Sequence, residues 1–187
     1  MHSIKDAESS QRGGGTHGFY EERLSGLRDL LPYGYGASVL DIGTNHGLVA
    51  LEFARYGASL VHGCDSHQAG VNAAREIFTE IRIPSRFEVL DLATGPAALE
   101  LTFGTHYLSQ YEIVLFLGMY HKLKEQTSDG TIAELIHHLV SRTARYFAVR
   151  TIFIEEVGLI LAEAGLRKVH FSALTSVVGP MEIWQRP

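Results

Sequence analysis

One cysteine in 187 residues leaves this chain without a disulfide framework. Cys64 closes an apolar run and reads as a small buried hydrophobe, not as a thiol nucleophile. No apolar stretch approaches the roughly 18 residues that span a bilayer. The N-terminus also lacks the apolar core of a signal peptide, so a cytoplasmic location is expected. Positive charge is not in excess: 16 lysines and arginines face 21 acids, a net charge of −5. A broad electrostatic footprint on nucleic acid is therefore not expected, although a local basic strip stays open. The histidines number ten but do not suggest a metal centre. His137 and His138 are adjacent on an expected helix and cannot face one site, and no other His/Asp/Glu spacing places ligands on one face.

What the chain does have is a core. A hydrophobic content of 45% over this length implies one globular domain. Residues 1–17 are polar and end in Gly13-Gly14-Gly15-Thr16-His17. They read as a flexible tail or one that folds over a ligand, which leaves 18–187 as a single domain. From Phe19 a helix is expected, with Leu24, Leu27, Leu30 and Leu31 on one side and Pro32 ending it. Strands and helices then alternate: strand 37–41, helix 47–56, strand 59–64, helix 68–81, strand 87–90. Residues 111–117 form the most apolar run, expected as a central strand buried on both faces. Ile132, Leu135, Ile136, Leu139 and Val140 stripe a further helix, with Thr131 and Glu134 as its capping box. A strand at 146–149 and a helix at 154–164 follow. Two alternating stretches, 168–174 and 181–184, are separated by Gly179-Pro180 and read as a closing hairpin. Residues 96–110 and 122–130, with the tail, are expected to form a short lid. The alternation predicts an α/β sandwich around a mostly parallel sheet.

The most informative segment is Val39-Leu40-Asp41-Ile42-Gly43-Thr44-Asn45-His46-Gly47. An apolar strand ends in an acid and runs into a glycine-bearing turn, and a second acid, Asp65, closes the next strand. The pattern describes a nucleoside pocket at the carboxyl edge of a parallel sheet. Gly43 and Gly47 permit a tight turn and close approach to a ligand, and Asp65 is placed to accept ribose hydroxyls. A dinucleotide fingerprint also carries an acid about 20 residues on. That fingerprint offers backbone amides to a pyrophosphate, which the carboxylate of Asp41 would repel. Asp41 suits a ligand carrying an amine and a sulfonium.

The segment resembles motif I of the class I S-adenosylmethionine-dependent methyltransferases, a hydrophobic strand followed by D/E-x-G-x-G-x-G. Asn45 replaces the middle glycine, and Asn is the residue after glycine that most readily turns left-handed. The C-terminal hairpin and the passage Ile160-Leu161-Ala162-Glu163-Ala164-Gly165-Leu166-Arg167-Lys168-Val169 are similar to the same family. The resemblance implies a three-layer Rossmann-like sandwich with a seven-stranded sheet. It implies S-adenosylmethionine as cofactor, with Asp41 toward the donor's amino group and Gly43, Asn45 and Gly47 along its methionine portion. Asp65 and neighbouring Ser66 would meet the ribose, and Asp91 and Leu92 the adenine. Leu117 and Gly118 would lie beside the methyl group.

The phrase Leu117-Gly118-Met119-Tyr120-His121 is similar to the L-G-x-x-Y-H of the tRNA wobble-uridine transferases and their relatives, one residue shorter here between Gly118 and Tyr120. His121, with Tyr120 beside it, is the candidate catalytic residue. Its imidazole either takes the acceptor's proton near neutrality or only orders the loop. Arg150 reads either as a partner for an anionic substrate or carboxylated donor, or as a surface arginine. The expected activity is methyl transfer to an oxygen or nitrogen of a small-molecule acceptor. Wobble-uridine-type RNA modification and a non-catalytic donor-binding partner subunit are the alternatives. Donor binding without turnover on any acceptor would mark the last of these.

Overall fold

The computed structural model describes residues 23–176 and 179–187. The expected tail and the start of the helix expected from Phe19 lie outside the described residues. The strands are β1 (Ser38–Ile42), β2 (Leu60–Asp65), β3 (Ser85–Val89), β4 (Tyr111–Leu117), β5 (Thr143–Arg150), β6 (Arg167–Ser176) and β7 (Gly179–Gln185). They form one sheet in the order β3-β2-β1-β4-β5-β7-β6. Strands β3 to β5 are parallel neighbours, and β7 runs antiparallel between β5 and β6. The chain winds outward from β1 to β3, then returns to lay β4 on the other side of β1. That reversal opens a crevice above the carboxyl ends of β1 and β4, the usual ligand position in such sheets.

Alternation along the strands divides the core between two faces. Leu40 and Ile42 of β1 turn to one face, and Val39 turns to the other. The Val39 face is covered by α1 (Leu48–Arg55), α2 (Gln68–Ile81) and the leucines of residues 27–31. The opposite face carries α3 (Ala97–Phe103), α4 (Tyr120–Gln126), α5 (Asp129–Ser141) and α6 (Ile154–Glu163). Helices as short as α1, α3 and α4 are marginal in isolation. They hold here because buried residues such as Leu51, Phe103 and Leu123 seat them on the sheet. In β4, Ile113 to Phe116 are all fully buried, as the apolar run predicts for a central strand.

Several local expectations are corrected. Within the described part of the expected N-terminal helix only Arg23 and Leu24 are helical, and turns follow through Leu30. Gly26 sits at φ 77°, which breaks a right-handed helix, yet Leu24, Leu27, Leu30 and Leu31 are still buried. Pro32 does not end a helix but opens the 3-10 turn Leu31–Gly34. The cap of α5 is Ser128, whose hydroxyl accepts from the Thr131 N–H at 3.2 Å, so Thr131 lies inside the helix. Residues 96–110 are not a lid, because α3 buries Leu99 and Phe103 in the core. Residues 122–130 belong to α4, a short connection and the start of α5. Gly179 and Pro180 lie within β7 instead of separating the hairpin strands.

Candidate functional site

The loop after β1 is built by three left-handed residues: Gly43 at φ 82°, Asn45 at φ 49° and Gly47 at φ 72°. Asparagine thus takes the conformation that glycine would otherwise supply. The Gly43 and Thr44 N–H groups donate to the Cys64 carbonyl at 2.9 and 3.0 Å, tying the loop to the end of β2. A side chain at Gly47 would press on the Ala74 Cβ at 2.9 Å, so glycine also sets how closely α1 approaches α2. The Cβ position at Gly43 is taken by the Met119 thioether.

Three carboxylates stand at the ends of β1, β2 and β3. Asp41 is 3% exposed and accepts from the Thr44 hydroxyl at 2.8 Å. Burial raises its carboxyl to about 7; Asp65 adds to the rise, while the Thr44 hydrogen bond and Arg23 oppose it. Asp65 clamps the loop. Its Oδ2 accepts from the Asn45 N–H and its Oδ1 from the His67 N–H, each at 2.9 Å. Asp91 caps the 3-10 turn Leu92–Thr94 by accepting from the Ala93 N–H at 3.0 Å. Each of these carboxylate oxygens keeps a further lone pair for a ligand.

Asp65, Ser66, Leu90, Asp91 and Leu92 form one wall of a cleft, and Met119, Lys122, Leu123 and Gln126 form the other. The second set falls at i, i+3, i+4 and i+7, one face of α4 and the residue before it. Tyr120 faces elsewhere. It is 2% exposed, packs on the Phe153 ring at 5.8 Å and hydrogen-bonds Glu156, which with burial pushes its phenol above the usual range. Lys124 also pairs with Glu156, at 2.9 Å. Tyr120 therefore docks α4 onto α6. His121 is half-buried on α4, outside the cleft lining. Burial and Lys122 lower its pKa against the pull of Glu125, and its Nδ1 lacks a partner among the described residues. Leu117 ends β4 half-buried opposite Arg150, and the Gly118 N–H donates to the Arg150 carbonyl at 2.9 Å.

The structure thus gathers Asp65, Ser66, Asp91 and Leu92 into one cleft, with Asp41 near the end of β1 and Gly43, Asn45 and Gly47 in the loop that follows it. Sequence reasoning missed Arg23, Met119, Lys122 and Gln126. The last three carry a signal, helical spacing beyond the loop at Gly118. Arg23 carries none, because it lies far along the chain from Asp41 and Asp65, whose charges act on it. Among the described residues no group of three His, Cys, Asp or Glu side chains stands together to hold a metal ion.

No family model matches this sequence, and no curated protein matches it. Solved structures do. The N-methyltransferase NodS from Bradyrhizobium japonicum WM9 superposes with a TM-score of 0.65 at 12% identity, covering 97% of this chain and 98% of that one. The chain has the class I methyltransferase fold. A SAM-dependent methyltransferase from Aquifex aeolicus gives a TM-score of 0.61 at 16% identity over 97% of both chains. WbdD, a bifunctional kinase-methyltransferase, matches at 19% identity with a TM-score of 0.63 over 83% of this chain. This chain spans only 39% of WbdD's length. At these identities the likeness shows the methyltransferase fold, and the chemistry must be argued from the site. Among the described residues no helix is long and apolar enough to cross a membrane.

Proposed function

We propose that this chain transfers a methyl group from S-adenosylmethionine to an oxygen or nitrogen of a small-molecule acceptor. One observation carries the reading: three carboxylates, Asp41, Asp65 and Asp91, end three adjacent parallel strands around a left-handed loop at the point where the sheet reverses direction. Such a row of acids suits a ligand bearing an ammonium, a sulfonium, ribose hydroxyls and an adenine amino group. It opposes a pyrophosphate. The loop's N–H groups point the same way, since those of Gly43, Thr44, Asn45 and Gly47 are already engaged within the protein. A phosphate-binding loop keeps them for its ligand.

The donor site fits the residues present. Asp65 and Ser66 would meet the ribose, Asp91 and the Leu92 N–H the adenine, and Asp41 the amino group. Met119 rests on Gly43, so a ligand lying along the loop would have to displace it. A bound donor supplies an electrophilic methyl on a positively charged sulfur. The protein's task is then to align the acceptor and exclude water. His121 is the candidate for the acceptor's proton, since the depressed pKa keeps its imidazole neutral, the form a base requires.

A small acceptor is favoured over RNA by how the basic residues are used. Arg75 and Arg86 pair with Glu88, Lys124 with Asp129 and Glu156, Arg142 with Glu100, and Lys168 with Glu182. Cations answered locally leave little continuous field for phosphates. Calorimetry on the wild type tests the whole reading. S-adenosylhomocysteine should bind and nicotinamide dinucleotides should not. Submicromolar tRNA binding at physiological salt would instead move RNA modification to first place.

A further inference from the structure

Helix α4 is seven residues long, has no side-chain cap at its N-terminus, and presents one face as a wall of the cleft. A helix that short does not hold itself in place. Leu123 seats it on the core, and the rest of its grip comes from another face. There Lys124 donates to the Glu156 carboxylate at 2.9 Å and meets that of Asp129 at 3.1 Å. Glu156 belongs to α6 and Asp129 opens α5, so one ammonium joins three helices. The same Nζ stands 5.7 Å from the centre of the Tyr120 ring and 5.6 Å from that of Phe153. The Tyr120 phenol also donates to Glu156. Phe153 is itself tethered: its N–H donates to the Thr151 hydroxyl at 3.1 Å, and the Thr151 N–H donates to the Pro180 carbonyl at 3.2 Å.

A solvent-swept ion pair contributes little. Lys124 differs in arrangement, because its side chain is only 25% exposed and its ammonium meets two carboxylates and two rings at once. Neighbouring residues of the chain show what the clamp holds. Met119 lies on Gly43 and lines the cleft, whereas Tyr120 is locked against Phe153 and Glu156. Any rotation of α4 that freed Tyr120 would move Met119, Lys122 and Gln126 relative to Asp65 and Asp91 across the cleft. We propose that Lys124 is a positioning residue for the donor. By clamping α4 to Glu156 and Asp129 it sets the width of the cleft, and it does so from outside the cleft lining. The inference rests on the donor site proposed above.

The test is calorimetry of S-adenosylhomocysteine binding to the full chain, with thermal melts of the same variants. Lys124→Met keeps an apolar stem and removes the ammonium. It should weaken the ligand by about three-fold or more, the scale on which residues that do not touch a ligand act on its site. Lys124→Arg keeps donors for both carboxylates and should restore most of the affinity. Glu156→Gln removes the charge that Lys124 and Tyr120 share, so it should weaken the ligand in the same direction. Where Lys124→Met proves too unstable to measure, Glu156→Gln decides the matter. A merely structural role would lower the melting temperature and leave the affinity, measured well below it, unchanged. That outcome, or a Lys124→Arg variant as weak as Lys124→Met, overturns the assignment while the donor site stands. A wild type that does not bind S-adenosylhomocysteine overturns both.

Discussion

The carboxylates on one side of the crevice and the basic nitrogens on the other differ in how they are satisfied. On the β1–β3 side, Asp41, Asp65 and Asp91 each accept from a neighbour in the same or the next loop. Those bonds shape the loops before any ligand arrives. On the β4–β5 side, the His121 Nδ1 and the Arg150 Nε have no hydrogen-bond partner among the described residues, and in the β1 loop the Asn45 Oδ1 likewise has none. A buried polar atom without a partner is costly. The contrast teaches that the acids of the proposed donor site are held in place by bonds within the protein, whereas the proposed base at His121 is not.

The sharpest way to break the contrast is His121→Asn. If the imidazole takes the acceptor's proton, the maximal rate should fall by ~10²-fold or more while donor affinity stays unchanged. The loss should shrink for acceptors with more acidic hydroxyls. A rate within about two-fold of wild type, below that bound for base catalysis, would make His121 a loop-ordering residue. Steady-state kinetics with separately measured donor binding decides between the two.

The next largest effect tests the pre-organised side. Asp65→Ala removes both the proposed ribose acceptor and the clamp on the Asn45 and His67 N–H groups. Calorimetry should show donor and demethylated product weakened by about 10- to 100-fold, the equivalent of ~1.5–3 kcal/mol. Unchanged affinity in a folded variant would sink the ribose assignment.

A smaller effect comes from protonation of Asp41. Its folded carboxyl titrates near 7, far above the ordinary aspartate value of 3.8. Only the ionised form attracts the donor's ammonium, so donor affinity should rise with pH and level off above 7. Affinity at pH 6 should be about ten-fold below the plateau, and Asp41→Asn should flatten the profile. The unliganded fold responds oppositely. A raised folded pKa means that this stabilising contribution is full below 3.8 and is lost as pH rises through about 7.

The smallest effect lies away from the crevice. His62 is 4% exposed and hydrogen-bonds the Tyr111 hydroxyl at 2.8 Å. Burial lowers its pKa to about 4, with His106 and Arg86 assisting. Its neutral form favours the fold above the ordinary value of 6.5, and that contribution is lost as pH falls toward 4. Thermal melts of His62→Phe should lose this acid sensitivity while donor binding at pH 7 is kept.

Much of this was legible in the linear chain, and the reasons are local. The β1 loop could be read because apolar runs, acids at their ends and left-handed turn residues obey short-range rules. The hairpin and the buried β4 followed from strand periodicity. The helix expected across residues 25–30 failed because Gly26 interrupts a leucine stripe that tertiary packing still buries. The lid at 96–110 failed because polar residues around Leu99 and Phe103 masked a short helix seated on the sheet.

By itself the sequence determined the alternating α/β order, the acids at the strand ends and the left-handed turn that follows Asp41. Periodicity and backbone conformational preference act over a few residues, so they survive reading one residue at a time. Only the tertiary structure decided that Arg150 is buried, that it reaches back to the Arg23 carbonyl, and that Met119, Lys122 and Gln126 line the cleft while His121 and Tyr120 do not. Those facts depend on contacts between distant segments and on the rotation of α4, which packing of Tyr120 and Leu123 into the core sets.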